Sequence, residues 1–370
     1  MVSSDPKISR RELLAGVTVA GMAPALDFMT LAHAQAPALR ATAQRGGLFW
    51  GAAVQSRHIR HETDFAKALV RECSVIVPEW EMKWAAIEPD RGRRNFRQCD
   101  VLLNFASEHQ LKCRGHTLIW HRSIPDWAKK AFSDKSAWSL VESHFDAMLG
   151  RYKDNAFIHW DVLNEVIEPK DGRDDALRIG PFLSAFGPEY IPRALVLAHE
   201  RAPAARLYIN EYGLDYDGKI ERARRDGLLG LVERLKKANT PLHGVGIQAH
   251  LRIDNSRFSE QSLRRFLAEL AAHDLEITLT ELDVREGDRS LPTAERDHLV
   301  AQEMKRYLEV VLDEPAVVGI VTWGLSDRYS WLNAKLRHGL MNRGLPLDES
   351  LAPKPVKYAI VEALARRVSR

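Results

Sequence analysis

The chain has 370 residues, 45% of them hydrophobic and 28% charged, with a formal net charge of +3. That is the composition of a soluble globular protein with room for one large domain or two smaller ones. Its lysines and arginines are scattered rather than blocked, so nothing points to nucleic acid as a partner. The three cysteines, Cys73, Cys99 and Cys113, are not closely spaced and have no histidine at ligand spacing. An odd count of this kind argues against a disulfide framework and a zinc site, and buried inert thiols are expected.

The first 34 residues read as an export signal. Ser9-Arg-Arg-Glu-Leu-Leu14 carries an arginine pair, residues 13–26 are uncharged, and Ala32-His-Ala34 offers small residues for cleavage. The run is too short to span a bilayer but suits a signal. The arginine pair resembles a twin-arginine signal, which implies a periplasmic or secreted protein with no membrane attachment once the signal is removed.

Beyond residue 45, short apolar strands alternate with helical stretches. Strands are expected at 48–54, 74–78, 112–120, 157–164, 206–210, 244–249, 276–281 and 317–323. Helices are expected at 63–72, 100–109, 137–152, 191–201, 220–238, 262–272 and 294–312, with a last one at 356–367. Eight strand–helix units predict an α/β fold, a single (β/α)8 TIM barrel occupying 45–370. An open doubly wound sheet would want a glycine-rich phosphate loop after an early strand, and there is none.

In such barrels the active face is built at the C-terminal ends of the strands. Those ends carry Glu79-Trp-Glu-Met-Lys-Trp84, Gly115-His-Thr-Leu-Ile-Trp-His121, Trp160-Asp-Val-Leu-Asn-Glu165, Asn210-Glu-Tyr212, Gln248-Ala-His250, Glu281-Leu-Asp283 and Trp323. Acids, amides, imidazoles and indoles collect at one end, which is the composition a carbohydrate pocket needs. Glu165 and Glu281 end strands on roughly opposite sides of the mouth. Glycoside hydrolysis requires such a pair, one carboxyl group to protonate the leaving oxygen and one to attack or to activate water. Asn164 is placed to bond a sugar hydroxyl, and His250 and Asp283 to orient and ionise Glu281. Lys83 and Glu79 offer charged hydrogen bonds, Trp323 a flat face for pyranose rings, and Gln248 a bond to the sugar 2-hydroxyl or to the nucleophile. The histidines lack partners at metal-ligand spacing. A binding-only barrel would have no need for both glutamates.

These motifs, with Gly246-Ile-Gln-Ala-His250 and Trp323-Gly-Leu-Ser-Asp-Arg-Tyr-Ser-Trp331, make residues 45–365 resemble glycoside hydrolase family 10, the barrel endo-β-1,4-xylanases. The resemblance implies a retaining, cofactor-free reaction on xylan with Glu165 as acid/base and Glu281 as nucleophile, their carboxyl groups about 5–5.5 Å apart. It also implies sugar contacts at Glu79, Lys83, His116, Trp120, Asn164, Gln248, His250, Trp323 and Trp331, with Tyr212 near the nucleophile. A monomer is expected. The alternative is a related retaining β-glycosidase acting on short xylo-oligosaccharides or another β-glycan.

Three positions depart from the family pattern. Trp80 stands where an asparagine is usual, Arg122-Ser123 replace Ser-Gln, and Gly213 replaces an asparagine after Tyr212. Two glycone-side amides are thereby lost, and the outer subsite is expected to be weakened, reshaped or turned into a stacking platform. The basic loop 331–347, with Lys335, Arg337 and Arg343, suggests preference for acid-decorated xylan.

Overall fold

The computed structural model describes residues 37–152, 157–254, 256–334 and 340–368. The expected signal at 1–34, and Lys335 and Arg337 of the basic loop, lie outside them. Eight parallel strands form a closed ring: β1 (Phe49–Val54), β2 (Val75–Pro78), β3 (Lys112–Trp120), β4 (Phe157–Asn164), β5 (Arg206–Glu211), β6 (Gly244–Ile247), β8 (Glu276–Arg285) and β9 (Val317–Thr322). They pair as β6-β5-β4-β3-β2-β1-β9-β8, and β8 returns to β6 to close the (β/α)8 barrel. A short additional strand, β7 (His250–Arg252), pairs alongside the last part of β8.

The strands are covered on both faces, which is why runs such as Val75-Ile-Val-Pro78 lack polar alternation. The helices carry the complementary signal. In Lys219–Lys237 the buried set Leu228, Leu231, Val232 and Leu235 follows the three- and four-residue spacing of one helix face. Helix Glu260–Ala271 buries Leu263, Phe266, Leu267 and Leu270 and is capped by the Ser259 hydroxyl, which accepts from Ser262 N–H at 3.3 Å.

The domain begins earlier than residue 45. Helix Leu39–Arg45 packs against β1 and against the final helix Pro355–Val368, with Leu39 and Ala43 fully buried. Buried Glu72 ties these ends together, accepting from Leu39 N–H at 3.1 Å and from Lys357 Nζ at 2.8 Å. All three cysteines are free and buried, and burial pushes their thiols up, Cys113 to about 12.

Local irregularities aim the strand ends. Glu165 and Ala249 adopt φ of +59° and +57°, a left-handed conformation that costs a non-glycine residue roughly 1–2 kcal/mol. At Glu165 it is held by the backbone N–H bonding Asn210 O at 2.9 Å and by Arg178 Nε donating to its carbonyl at 2.7 Å. At Ala249 it breaks the strand, so that His250 resumes in register with Asp283. On β8 the pairing with β9 shifts between Leu279 and Leu282, a bulge that brackets Glu281. The strand runs past its expected end at residue 281 to Arg285, because β7 supplies a partner for its last residues.

Candidate active site

The strand ends open into a cleft of about 700 Å³, lined by Glu165 and Glu281 and by the indoles of Trp80, Trp120, Trp323 and Trp331. Every site residue expected from the sequence lines this cleft: Glu79, Lys83, His116, Trp120, Asn164, Glu165, Tyr212, Gln248, His250, Glu281, Asp283, Trp323 and Trp331.

Glu281 is buried, with 6% of its surface exposed. One carboxylate oxygen accepts from Asn210 Nδ2 at 2.7 Å, and the other lies 3.2 Å from His250 Nε2. Burial alone would raise its pKa. The His250 hydrogen bond, with the nearby His116 and Lys83, more than offsets this and brings it down to about 2. His250 stands between two carboxylates, its Nδ1 being 2.9 Å from Asp283 Oδ1. Burial would lower its pKa as well, yet Asp283 and then Glu281 raise it to about 10, so it is an imidazolium at neutral pH. Asp283 is fixed in turn by the Trp331 indole N–H at 2.6 Å.

Across the cleft, Glu165 accepts from Gln248 Nε2 at 3.2 Å on Oε1. Its other oxygen faces His121 Nδ1 at 4.0 Å. Burial, helped by the charges of Arg178 and Arg122, lowers the His121 pKa to about 4, so this imidazole is uncharged at neutral pH. Gln248 is expected to meet the sugar or the nucleophile; of the two glutamates its Nε2 donates to Glu165 rather than Glu281, and at 3.4 Å to Asn164 Oδ1.

Asn210 connects the halves. Its Nδ2 donates to both Asn164 Oδ1 (2.9 Å) and Glu281, and its Oδ1 accepts from Thr280 Oγ1 at 2.6 Å. Gly246 on the neighbouring strand makes room for it, since a Cβ there would sit 2.3 Å from Asn210 Oδ1. With the Asn164 oxygen occupied by two donors, its NH₂ group is what remains for a ligand. Asn210, His121, Arg178 and Gln55 were not singled out from the sequence. The first two lie within motifs already quoted, so their position at strand ends was the available signal.

His116 is anchored by Asp161 at 2.9 Å, and Asp161 is in turn gripped by a bidentate pair with buried Arg114. Glu79 accepts from Gln55 Nε2 at 3.0 Å, and burial raises its pKa. Burial lowers that of Lys83, against the opposing pull of Glu281 and Glu79. Trp323 is nearly buried and meets His116 edge-on, whereas Trp331 is 39% exposed. Tyr212 donates to Glu168 at 2.7 Å and accepts from Arg178 at 3.0 Å, so the direct bonds to Glu281 come from Asn210 and His250. Of the three departures, Trp80 is exposed on the cleft, Ser123 is buried away from it, and Gly213 takes φ of +64° beside Arg224. Arg343 of the basic loop is not free for a ligand: it pairs with Asp297 at 2.7 and 2.9 Å.

A family model described as glycosyl hydrolase family 10 matches residues 38–363. The chain belongs to that family. It is 32% identical over 322 residues to a β-1,4-xylanase of Dictyoglomus thermophilum, covering 84% of this chain and 87% of the relative. Identity to endo-1,4-β-xylanase 1 of Humicola insolens is 33%, over 82% of this chain and 69% of the relative. Among solved structures, xylanase 10B of Thermotoga petrophila RKU-1 in complex with xylobiose aligns with a TM-score of 0.81 at 29% identity, covering 91% of this chain and 99% of the other.

Proposed function

We propose that this family 10 glycosidase is a retaining endo-β-1,4-xylanase that cuts internal bonds of xylan by double displacement. The observation that carries the reading is the asymmetry of the carboxylate pair: Glu281 is held ionised by His250 and Asn210, while Glu165 faces a neutral imidazole. The xylanase relatives and the indole-walled cleft support xylan as the substrate.

In the first step a Glu281 oxygen attacks the anomeric carbon. The bond from that carbon to the glycosidic oxygen breaks, and the leaving oxygen takes the proton of Glu165. This leaves a glycosyl ester on Glu281 and a carboxylate at Glu165. In the second step Glu165 removes a proton from water, the water oxygen attacks the anomeric carbon, and Glu281 departs as a carboxylate. Glu165 ends protonated and both groups return to their starting states. Gln248 holds Glu165 Oε1, leaving Oε2 to carry the proton. The Asn164 NH₂ group faces the sugar, where a hydrogen bond to the 2-hydroxyl strengthens as charge develops.

Chromatography of the products from xylan, xylo-oligosaccharides, cellulose and arabinan tests the substrate. Internal cuts in xylan are expected, and activity confined to short oligomers would favour the oligosaccharide-specific alternative. NMR of the first product to appear should show the β-anomer, and an initial α-anomer would exclude double displacement. We read residues 1–34 as an export signal placing the enzyme in the periplasm or outside the cell, on the strength of the arginine pair and uncharged run. Sequencing the N-terminus of the exported protein would check it.

A further inference from the structure

The Glu79–Lys83 end of the cleft has its own chemistry. Trp80 is 48% exposed on the cleft lining, the most open of the cleft tryptophans. The Lys83 ammonium lies 5.6 Å from the Trp80 ring and 4.5 Å from that of Trp120, and the Arg122 guanidinium stands 5.9 Å from Trp120. Arg178 and Arg252, which also line the cleft, are each held by carboxylates: Glu168 for the first, Glu221 and Asp254 for the second. Arg122 is exposed, and among the described residues it has no carboxylate partner; the same holds for Arg285, which lies beside Trp331 rather than Trp80. Ser123 beside it is turned inward, so no side chain amide stands at either departing position.

An exposed indole accepts the apolar face of a pyranose without reading its hydroxyls one by one, so a ring with a substituted hydroxyl still stacks. An unpaired guanidinium that loses water when a sugar chain lies across it gets weak replacement from neutral hydroxyls. A carboxylate offers it two parallel charge-assisted hydrogen bonds. Resting on the xylan reading above, we propose that Trp80 and Arg122 form a subsite for a xylose unit bearing an acidic side group. Its pyranose ring lies on the Trp80 indole and its uronic acid carboxylate on Arg122. Acid preference then resides at Arg122 rather than in the loop around Arg343, whose guanidinium is already committed to Asp297.

The test compares kcat/KM on a neutral linear xylo-oligosaccharide with that on the same backbone carrying one glucuronic acid branch. Arg122→Gln should lower the ratio of acidic to neutral about fivefold, and about 0.5 M salt should shrink the same preference in the unaltered enzyme. Arg122→Lys should keep part of the preference, because charge survives while the bidentate fork is lost. Trp80→Ala should raise KM on both substrates with kcat little changed. An unchanged ratio in Arg122→Gln would overturn the proposal. So would an equal fall in Arg285→Gln, which removes the cleft cation beside Trp331 and would make the effect one of diffuse charge. Neither result would touch the xylan reading, whereas an unaltered enzyme that leaves both oligosaccharides intact would remove that reading and this inference with it.

Discussion

Glu281 and Glu165 each have a histidine for a neighbour, and the two histidines are tuned in opposite directions. His250 sits between the carboxylates of Asp283 and Glu281, which together raise it to about 10 despite its burial. His121 is lowered to about 4 by burial and by the guanidinium groups of Arg178 and Arg122. One imidazole therefore brings a charge to its glutamate and the other does not. The residue type is the same on both sides; the charges around it decide its state. A double displacement needs this difference, because one carboxyl group must start ionised and the other must start with a proton.

The largest effects should come from removing the carboxylates themselves. Glu281→Ala should cost at least about 10⁴-fold in kcat on every substrate, since no ester can form. Glu165→Ala should cost about 10²–10⁴-fold on xylan while largely sparing an aryl xyloside with a good leaving group, which departs without a proton. If Glu281→Ala kept its rate on either substrate, the nucleophile would lie elsewhere. His250→Gln comes next. Glu281 is active as the carboxylate and its pKa is depressed, so activity is lost as pH falls through that low value. With the imidazolium gone, burial dominates, and the acid limb of kcat/KM should move up by about two pH units. An acid limb that stays in place would show that His250 does not set the charge of Glu281.

Much of this layout was legible in the sequence, for identifiable reasons. β3 and β4 match their expected bounds to the residue because helical stretches and polar turns flank them, even though both carry buried polar residues such as Arg114, His116 and Asp161. The strand ends carried the chemistry, because the fold leaves functional groups nowhere else to converge. What the sequence hid was how the groups connect. Whether Gln248 meets Glu281 or Glu165 depends on the left-handed turn at Ala249 and the bulge around Glu281, and neither leaves a compositional trace. The role of Asn210 is hidden for a related reason. A lone asparagine near a strand end says little until Gly246 and Thr280 are seen beside it. The extension of β8 to Arg285 depended on β7, a strand too short to have its own pattern.

The smallest expected effect is the one that bears most directly on the contrast between the histidines. His121→Lys places a permanent positive charge where the structure has a neutral ring 4.0 Å from Glu165. A cation there favours the ionised form of the carboxyl group, so the proton needed by the leaving oxygen is lost at lower pH. The alkaline limb of the kcat/KM profile on xylan should therefore move down by about one unit, with the acid limb unmoved. His121→Asn, which is uncharged like the native ring, should leave the alkaline limb where it is. The pair of variants separates charge from packing, because a purely structural role would disturb both proteins alike. If His121→Asn shifted the limb as far as His121→Lys, charge at this position would not be what moves it, and the opposed tuning would reduce to the His250 side alone.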